Sequence, residues 1–274
     1  MFPLRCTVRN CENLLQRQEN GLTCAAGHHF DRAKPGYWNL LQPQDRRSAN
    51  PGDSDASVLA RKSWLQCGFM DGMTNALREL ISEHVSADNP SVMDLGCGEG
   101  TFGRALFEDC SKTYCGIDLS KQAIKLATRS WKDATWVVAN ADRILPAADS
   151  SVDLLISLFG RRPTTEINRV LRVGGCFVAA IPGPNDLLEL REIVQKEAQQ
   201  RDRHQAVIDQ CKAAGLDLAQ HRLWTFTATM DSDAVKNALA MTYRAFRNSE
   251  HDRIETISEI DVTLQAHLLV FKAT

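Results

Sequence analysis

The chain has 274 residues, of which 43% are hydrophobic and 24% charged, and its formal net charge is -2. This composition is typical of a folded globular protein and excludes a disordered or strongly basic chain, and the length allows a core domain with a small appended module. Every apolar run is well short of the roughly 20 residues of a membrane span, and the first residues do not resemble a secretory signal. We therefore expect a cytoplasmic protein without a membrane partner.

The beginning of the chain carries a group of metal-ligating side chains. Cys6, Cys11 and Cys24 are followed by His28, and three thiolates with one imidazole are a ligand set of structural zinc. A module this short has too small a hydrophobic core to fold stably on its own. We therefore expect one zinc ion per chain to stabilise it. His29 is the alternative fourth ligand. Cys11 is the least certain thiol, because four residues rather than the commoner two separate it from Cys6.

Polar residues separate this head from the next periodic segments. Residues 42–55 are rich in Asn, Asp, Ser, Pro and Gly, which predicts a linker or a functional loop. Apolar residues then recur at helical spacing, which predicts helices over about 55–67 and 71–85. Ser54 or Asp55 is expected to cap the first of them.

Strands and helices alternate over the rest of the chain. This alternation predicts a mostly parallel, seven-stranded sheet with helices on both faces, an α/β fold of the Rossmann-like kind. The pattern also predicts one long helix over about 185–214. The last two strands lie close together in sequence, so we expect an antiparallel edge. The predicted strands are residues 91–95, 113–118, 135–139, 152–158, 176–181, 221–227 and 262–272.

A glycine-rich loop, Gly96-Cys97-Gly98-Glu99-Gly100, follows the first of these strands. Glycines here let the backbone turn tightly and approach a ligand, and the helix that follows offers free N–H groups. Asp118 ends the second strand, 18 positions after Gly100, where an acid can bridge the two hydroxyls of a ribose. Asp94, just before the loop, is expected to orient it or to hold the ammonium group of a methionine moiety.

The loop, Asp118 and the polar segment 140–146 together resemble the class I methyltransferases over about residues 90–182. The resemblance implies S-adenosylmethionine as methyl donor, bound across the carboxyl ends of the strands. After the fourth strand, residues 157–160 read Ser-Leu-Phe-Gly and lack the Asn/Asp-Pro-Pro-aromatic motif, which argues against methylation of an exocyclic amine. The residues expected to bind the cofactor are Asp94, Gly96, Cys97, Gly98, Glu99, Gly100, Phe102, Asp118, Leu119, Ala141, Asp142 and Ser157.

Three further stretches resemble the bacterial rRNA (guanine-N1)-methyltransferases of the large ribosomal subunit. They are residues 24–41 in the head, 47–54 in the linker, and 182–184, which read Pro-Gly-Pro. The resemblance implies a structural zinc ion, S-adenosylmethionine, a guanine in a 23S rRNA hairpin as the target, and a homodimer. It places a zinc-binding, RNA-recognising domain at residues 1–48 and a methyltransferase domain at 49–274, with 49–90 as linker and leading helices.

The chain departs from that family mainly on the target side. The first cysteine pair is wider than the family's usual Cys-x2-Cys, and residues 159–163 read Phe-Gly-Arg-Arg-Pro where the family tends toward Ala-Pro. Residues 241–244 read Met-Thr-Tyr-Arg where the family more often has a proline. The resemblance is therefore closer in the segments expected to bind the methyl donor than in those expected to bind the target base.

Transfer to guanine N1 needs a group that accepts the N1 proton. Asp186, Glu189 and Asp53 are candidates by position, and an acid at a helix start would equally complement the helix dipole. A base inside a hairpin must also be splayed out before it can be reached. The residues expected to stack on that base are Phe159, Tyr37 or Trp38, and those expected near phosphates are Lys34, Arg46, Arg47, Arg161 and Arg162.

Two other functions stay open at this point. A methyltransferase of a small molecule would share the whole core and need no zinc head. A non-catalytic RNA-binding adaptor would keep the same fold as a scaffold, although the intact acidic and glycine positions count against it.

Overall fold

The computed structural model describes residues 2–19, 21–45, 51–194, 202–242 and 258–274. In the head, three short strands form an antiparallel sheet, β1 (Leu15–Gln18), β2 (Gly21–Cys24) and β3 (His29–Asp31), in that order. Gly27 closes the turn between the last two strands with φ of +82°, a left-handed conformation that favours glycine.

A second, larger sheet contains eight strands of the described part of the chain. They are β4 (Trp38–Asn39), β5 (Val92–Leu95), β6 (Tyr114–Asp118), β7 (Thr135–Val138), β8 (Val152–Leu158), β9 (Leu171–Pro182), β10 (Leu216–Asp231) and β11 (Glu259–Ala273). Their order is β10-β11-β9-β8-β5-β6-β7-β4. The strands from β4 to β9 pair in parallel, whereas β11 runs antiparallel to β9 and β10. The predicted sheet and its antiparallel edge are confirmed, and β4 is an addition from the head.

The helices follow the predicted alternation with one exception. They are α1 (Asp55–Leu65), α2 (Asp71–His84), α3 (Thr101–Phe107), α4 (Lys121–Ser130), α5 (Thr164–Val170), α6 (Leu188–Val194), α7 (His204–Ala213) and α8 (Ser232–Thr242). Ser54 caps α1 by accepting a hydrogen bond from Ser57 N at 3.1 Å.

The single long helix predicted over 185–214 is wrong. Asp202 and Arg203 are not helical, so α6 and α7 are separate helices, and residues 195–201 lie outside the described residues. The Asp202 carboxylate accepts a hydrogen bond from His204 N at 3.2 Å, a local side-chain contact of the kind that competes with a helical backbone. The periodicity of the sequence does not reveal such a contact.

The core lies on both faces of the larger sheet, because successive side chains of a strand point to opposite sides. On one face, Leu154 and Ile156 pack with residues of α1, α2, α4 and α8. On the other face, Met93 and Leu155 pack with residues of α5 and α7. The crossover from β7 to β8 contains no helix over residues 139–151, all of which are described.

The head covers the part of the second face that this crossover leaves open. Phe2 and Leu4 are fully buried in the same cluster as Ile117 and Val137 of the sheet. Phe2 N donates to Thr135 Oγ1 at 3.2 Å. The head and the sheet therefore share one hydrophobic core, to which β4 adds main-chain pairing with β7.

No helix among the described residues has the length and apolar character needed to cross a bilayer. The predicted boundary after residue 48 falls in the segment 46–50, which lies outside the described residues. The division into domains 1–48 and 49–274 therefore stays a prediction.

Removing the side chain of Phe2 tests the shared core. We expect Phe2→Ala to lower the free energy of unfolding by roughly 3–5 kcal/mol, because a buried phenyl ring would leave a cavity. The matched control is Leu14→Ala, which changes a half-exposed leucine of the same head and should cost no more than about 0.5 kcal/mol. Urea unfolding measures both, and equal effects would show that the head does not share the core.

Candidate cofactor site and metal centre

The glycine-rich loop joins β5 to α3 at the carboxyl edge of the sheet. Gly96, Gly98 and Gly100 have φ of +69°, +58° and +83°. A residue with a side chain would be strained in this left-handed conformation. The backbone N–H groups of Gly96 and Cys97 both donate to Ile117 O, at 2.8 and 3.1 Å. The loop is thus held against the end of β6.

Asp118 lies at the point where the loop meets α4. Its Oδ2 accepts a hydrogen bond from Gly98 N at 3.0 Å and its Oδ1 accepts one from Ser120 N at 2.7 Å. Burial raises the pKa of Asp118, and the two backbone donors partly offset this effect. A carboxylate fixed in this position suits the predicted contact with ribose hydroxyls.

Asp94 lies beneath the loop rather than at its surface. It is buried, and Tyr114 donates a hydrogen bond from its hydroxyl to Asp94 Oδ2 at 2.6 Å. Burial raises the pKa of Asp94 to about 7. Of the two predicted roles, this geometry supports orientation of the loop and not contact with a ligand ammonium group.

Arg61 of α1 lies over the loop, a feature that sequence reasoning missed. Its Nε donates to Glu99 Oε2 at 3.2 Å and its Nη1 donates to Asp53 Oδ2 at 2.7 Å. A Cβ atom built on Gly98 would lie 3.1 Å from Arg61 Nη2. Glu99, expected to contact the cofactor, and Asp53, a candidate base, are therefore both paired with this guanidinium.

The linker passes along the same edge of the sheet. Gly52 has φ of +94°, and a Cβ atom there would lie 2.7 Å from Ser120 N. Asp45 O accepts a hydrogen bond from Asn140 Nδ2 at 3.2 Å. The linker thus touches the segments that follow both β6 and β7, while Arg46 and Arg47 lie outside the described residues.

The segment after β8 turns tightly against the glycine-rich loop. A Cβ atom on Gly160 would lie 2.8 Å from Leu95 O. Ser157 is buried and donates from Oγ to Arg161 O at 2.9 Å. Phe159 has φ of +59° and is 40% exposed, a strained conformation for a bulky residue of the kind found at functional sites.

Other predicted contacts surround this turn. Asp142 accepts two hydrogen bonds from Arg161, the shorter at 2.7 Å. Phe102 lies in the first turn of α3, and Leu119 and Ala141 follow β6 and β7, each of the three being half-buried. The structure thus brings the predicted cofactor residues to one edge, although Asp94, Glu99 and Asp142 are engaged by other side chains.

Asp186 and Glu189, the other candidate bases, bond to β11. Asp186 Oδ1 accepts from Gln265 N at 2.9 Å, and the Glu189 carboxylate accepts from Thr263 N and Oγ1 at 2.9 and 2.7 Å. β9 pairs with β11 only from Ala266 onward. The two carboxylates therefore accept hydrogen bonds from N–H groups of β11 that lie before the paired part of that strand. Burial raises the pKa of Asp186 to about 6.

In the head, Cys6, Cys11, Cys24 and His28 converge, with one ligand atom from each within 4.8 Å of the others. Cys11 Sγ and Cys24 Sγ are 3.8 Å apart, and His28 Nδ1 lies 3.5 Å from Cys6 Sγ and 3.4 Å from Cys24 Sγ. Tetrahedral zinc, with its usual bond lengths, holds two sulfurs about 3.8 Å apart and a sulfur and a nitrogen about 3.5 Å apart. The donor atoms therefore fit a zinc ion.

The backbone explains how the wide cysteine spacing is accommodated. Cys11 N donates to Val8 O at 3.0 Å, and Asn10 has φ of +61°, so the additional residues form a tight turn that returns Cys11 to the cluster. His29 points elsewhere and contacts Thr23 Oγ1 and Asp31 Oδ1, at 3.0 and 3.2 Å. The geometry thus favours His28 over His29.

Comparison with known proteins agrees with this two-part arrangement. Residues 4–49 match the family described as "RlmA, N-terminal", a zinc ribbon, and residues 92–175 match the family described as "Methyltransferase domain". Over 255 residues the chain is 31% identical to YxjB of Bacillus subtilis, named as a 23S rRNA (guanine-N1)-methyltransferase, covering 89% of this chain and 88% of that protein. The chain belongs to the 23S rRNA (guanine-N1)-methyltransferase family.

Other relatives of this family member are consistent with the assignment. The 23S rRNA (guanine(748)-N1)-methyltransferase of Streptomyces fradiae is 29% identical over 275 residues, covering 97% of this chain and 95% of the relative. A Bacillus halodurans structure described as a methyltransferase has a TM-score of 0.52 at 15% identity, covering 72% of this chain and 98% of that one. The structure of YcgJ of Bacillus subtilis has a TM-score of 0.52 at 17% identity, covering 72% of this chain and 97% of that one. These structures show the class I methyltransferase fold.

The cofactors of this family member are S-adenosylmethionine and a structural zinc ion. When bound, S-adenosylmethionine supplies a methyl group on a sulfonium centre. Four protein ligands leave zinc no open position, so its role is to hold the head in shape.

Asp118→Asn tests the cofactor site. An amide keeps the side-chain shape but loses the charge and one of the two acceptor oxygens, so we expect S-adenosylmethionine to bind roughly 10–100-fold more weakly and the melting temperature to fall modestly. Asp133→Asn, at an exposed turn, is the matched control and should bind as the wild type does. Calorimetric titration measures both, and equal affinity of the two variants would place the ribose elsewhere.

Cys24→Ser tests the metal centre. We expect the variant to lose one equivalent of zinc per chain and to melt at a lower temperature, because the ion stabilises a head that shares its core with the sheet. Cys67→Ser changes an exposed thiol at the end of α1 and should retain all its zinc. Elemental analysis after gel filtration measures the zinc content of both variants. Full zinc occupancy in Cys24→Ser would refute the metal centre.

Proposed function

We propose that this chain transfers the methyl group of S-adenosylmethionine to N1 of a guanine in a hairpin of 23S rRNA. The observation that carries the proposal is the path of the linker, which joins the zinc head to the carboxyl edge of the sheet and touches Ser120 and Asn140 there. RNA held by the head would therefore lie beside the methyl donor. The names of the B. subtilis and S. fradiae relatives support the choice of guanine N1.

For the cofactor, we assign the ribose to Asp118 and the methionine moiety to the backbone of residues 96–100. Residues 141–142, after β7, would border the adenine. Arg61 extends the predicted set, because a guanidinium over the loop can form a charge-assisted pair with the carboxylate of the methionine moiety. Its present partners, Glu99 and Asp53, keep it oriented toward the loop.

For the metal, we assign zinc to Cys6, Cys11, Cys24 and His28. Support comes from the sulfur–sulfur and sulfur–nitrogen distances, which match a tetrahedral ion, and from the match of residues 4–49 to a zinc ribbon. Asn13 Nδ2 also donates to Cys11 Sγ at 3.4 Å, the kind of contact that orients a metal-bound thiolate.

For the target, we assign base stacking to Phe159. Its left-handed backbone places an exposed ring directly after β8, next to the glycine-rich loop. Stacking on an aromatic ring is worth roughly 1–3 kcal/mol per base. Arg161 is 74% exposed at its side chain beside this ring and suits a phosphate contact, whereas Arg162 donates from Nη1 to Gly160 O and holds the turn.

The N1 proton must leave before or during transfer. Asp53, Asp186 and Glu189 are each held by other groups of the chain, so we assign the base to none of them. The main contribution of the protein is then alignment of nitrogen, carbon and sulfur, which can be worth roughly 7–11 kcal/mol.

We also propose a homodimer in the cytoplasm. Support for the dimer comes from Leu218, Leu223 and Phe226, which are exposed apolar residues of the edge strand β10, since long exposed edges invite pairing. Support for the location comes from the nine cysteines, none of which forms a disulfide, as is usual in a reducing compartment.

Methyl transfer to a 23S rRNA fragment, with mass mapping of the methylated nucleotide, tests the function. We expect 1-methylguanine in a hairpin, and no 1-methylguanine at that position in rRNA from a strain without the gene. Methylation of small molecules with the rRNA unmodified would overturn the proposal in favour of a small-molecule enzyme. Binding of RNA without any transfer would favour the adaptor.

Phe159→Ala separates the target side from the cofactor side in the same assay. We expect kcat/KM for the hairpin to fall roughly 5–100-fold while the Kd of S-adenosylmethionine is unchanged. The matched control is Val173→Ala, which removes a highly exposed apolar side chain far from this edge. Equal activity of the two variants would exclude stacking by Phe159.

A further inference from the structure

Three histidines converge at the last two strands, away from both sites described above. They are His204 at the start of α7, His221 on β10 and His267 on β11, and one ring nitrogen from each lies within 4.8 Å of the others. The rings of His204 and His267 are stacked with centroids 4.2 Å apart, and those of His221 and His267 are 5.0 Å apart.

The register of the sheet brings two of these rings together. His267 pairs with Leu223, and His221 pairs with Leu269, so the two histidines are diagonal neighbours on the same face. That face packs against α7, because Leu269 shares a buried cluster with Val207. The first turn of α7 thus places His204 over the strands.

A carboxylate lies beside two of the three histidines. Asp202 Oδ1 lies 2.5 Å from His204 Nδ1 and 3.3 Å from His267 Nε2. Asp202 is partly exposed, whereas His267 is buried. Three imidazoles and one carboxylate are a ligand set that suits zinc and other borderline divalent transition ions.

The contacts of the cluster differ in strength. His221 Nε2 and His267 Nδ1 are 2.8 Å apart, so one of them accepts a hydrogen bond from the other through its lone pair. His267 Nε2 is buried and lies 3.3 Å from Asp202 Oδ1, a contact that is at most a weak hydrogen bond. Buried polar atoms are normally satisfied, so a cation bound at this nitrogen would give it a stronger partner.

We propose that His204, His221, His267 and Asp202 form a second site for a divalent transition ion, separate from the cysteine centre of the head. Ligand nitrogens around tetrahedral zinc lie about 3.4 Å apart, so small ring rotations would bring the donors into place. The ion would cross-link the start of α7 to β10 and β11. The site is structural and does not depend on the proposed rRNA activity.

Zinc stoichiometry of the full chain tests this site. The protein is stripped with a chelator, reloaded with Zn²⁺ alone, passed through a gel-filtration column and analysed for metal. We expect two equivalents per chain in the wild type, one in His221→Gln and one in Cys24→Ser, because each variant removes one ligand of one site. His204→Gln repeats the test from the helix, and circular dichroism verifies that each variant is folded.

The matched control is His84→Gln. His84 Nε2 contacts Gln220 Oε1 at 2.6 Å, next to His221 along the strand, and His84 is not part of the cluster. This variant should still bind two equivalents. One equivalent in the wild type, lost completely in Cys24→Ser and retained in His221→Gln, would overturn the proposal. Loss of the same equivalent in His84→Gln and His221→Gln would overturn it as well.

Cobalt provides a second readout. Co²⁺ bound through thiolates gives charge-transfer absorption that a site of histidine and carboxylate cannot give. In Cys24→Ser loaded with Co²⁺, we expect the visible bands of nitrogen- and oxygen-bound cobalt without the thiolate absorption. A colourless Cys24→Ser protein would contradict the second site.

Discussion

The hydrogen bond from Tyr114 to Asp94 ties the cofactor loop to the aromatic core, and the rest of the site is arranged around it. Tyr114 is fully buried and packs against Trp131 and Trp136. A Cβ atom on Gly103 would lie 1.9 Å from the tyrosine hydroxyl. Helix α3 can therefore pack this closely against Tyr114 only because residue 103 is a glycine. With the loop fixed from below, its backbone meets Asp118 on one side and Gly160 on the other.

The head is part of the fold rather than an attachment to it. Parallel strands are usually connected through helices that cover the sheet, yet the crossover from β7 to β8 has none over residues 139–151. Phe2 and Leu4 fill that space. The same arrangement leads the linker, which follows the metal module in sequence, along the carboxyl edge beside the segments after β6 and β7.

The sequence was most informative where chemistry restricts the choice of residue. A loop with left-handed backbone needs glycine, and a zinc centre needs cysteine and histidine at suitable positions. The glycine-rich loop and the metal cluster could therefore be predicted from the sequence, together with the parallel sheet. Arg61 carries no such signature, because its role arises only when α1 packs over the loop. The acids after β9 were ambiguous for a related reason: Asp186 and Glu189 find their backbone partners on β11, more than seventy positions later. His221 and His267 likewise become neighbours only through strand register, and His204 joins them only through the packing of α7.

The two-residue strand β4 has a further consequence for behaviour in solution. Without it, β7 would present its free N–H and C=O groups at the margin of the sheet, and bare margins of this kind template self-association. Since β4 belongs to the head that zinc stabilises, we expect loss of the ion to weaken the cap on that margin. Newly made protein that lacks zinc would then be exposed to aggregation before its enzymatic competence comes into question.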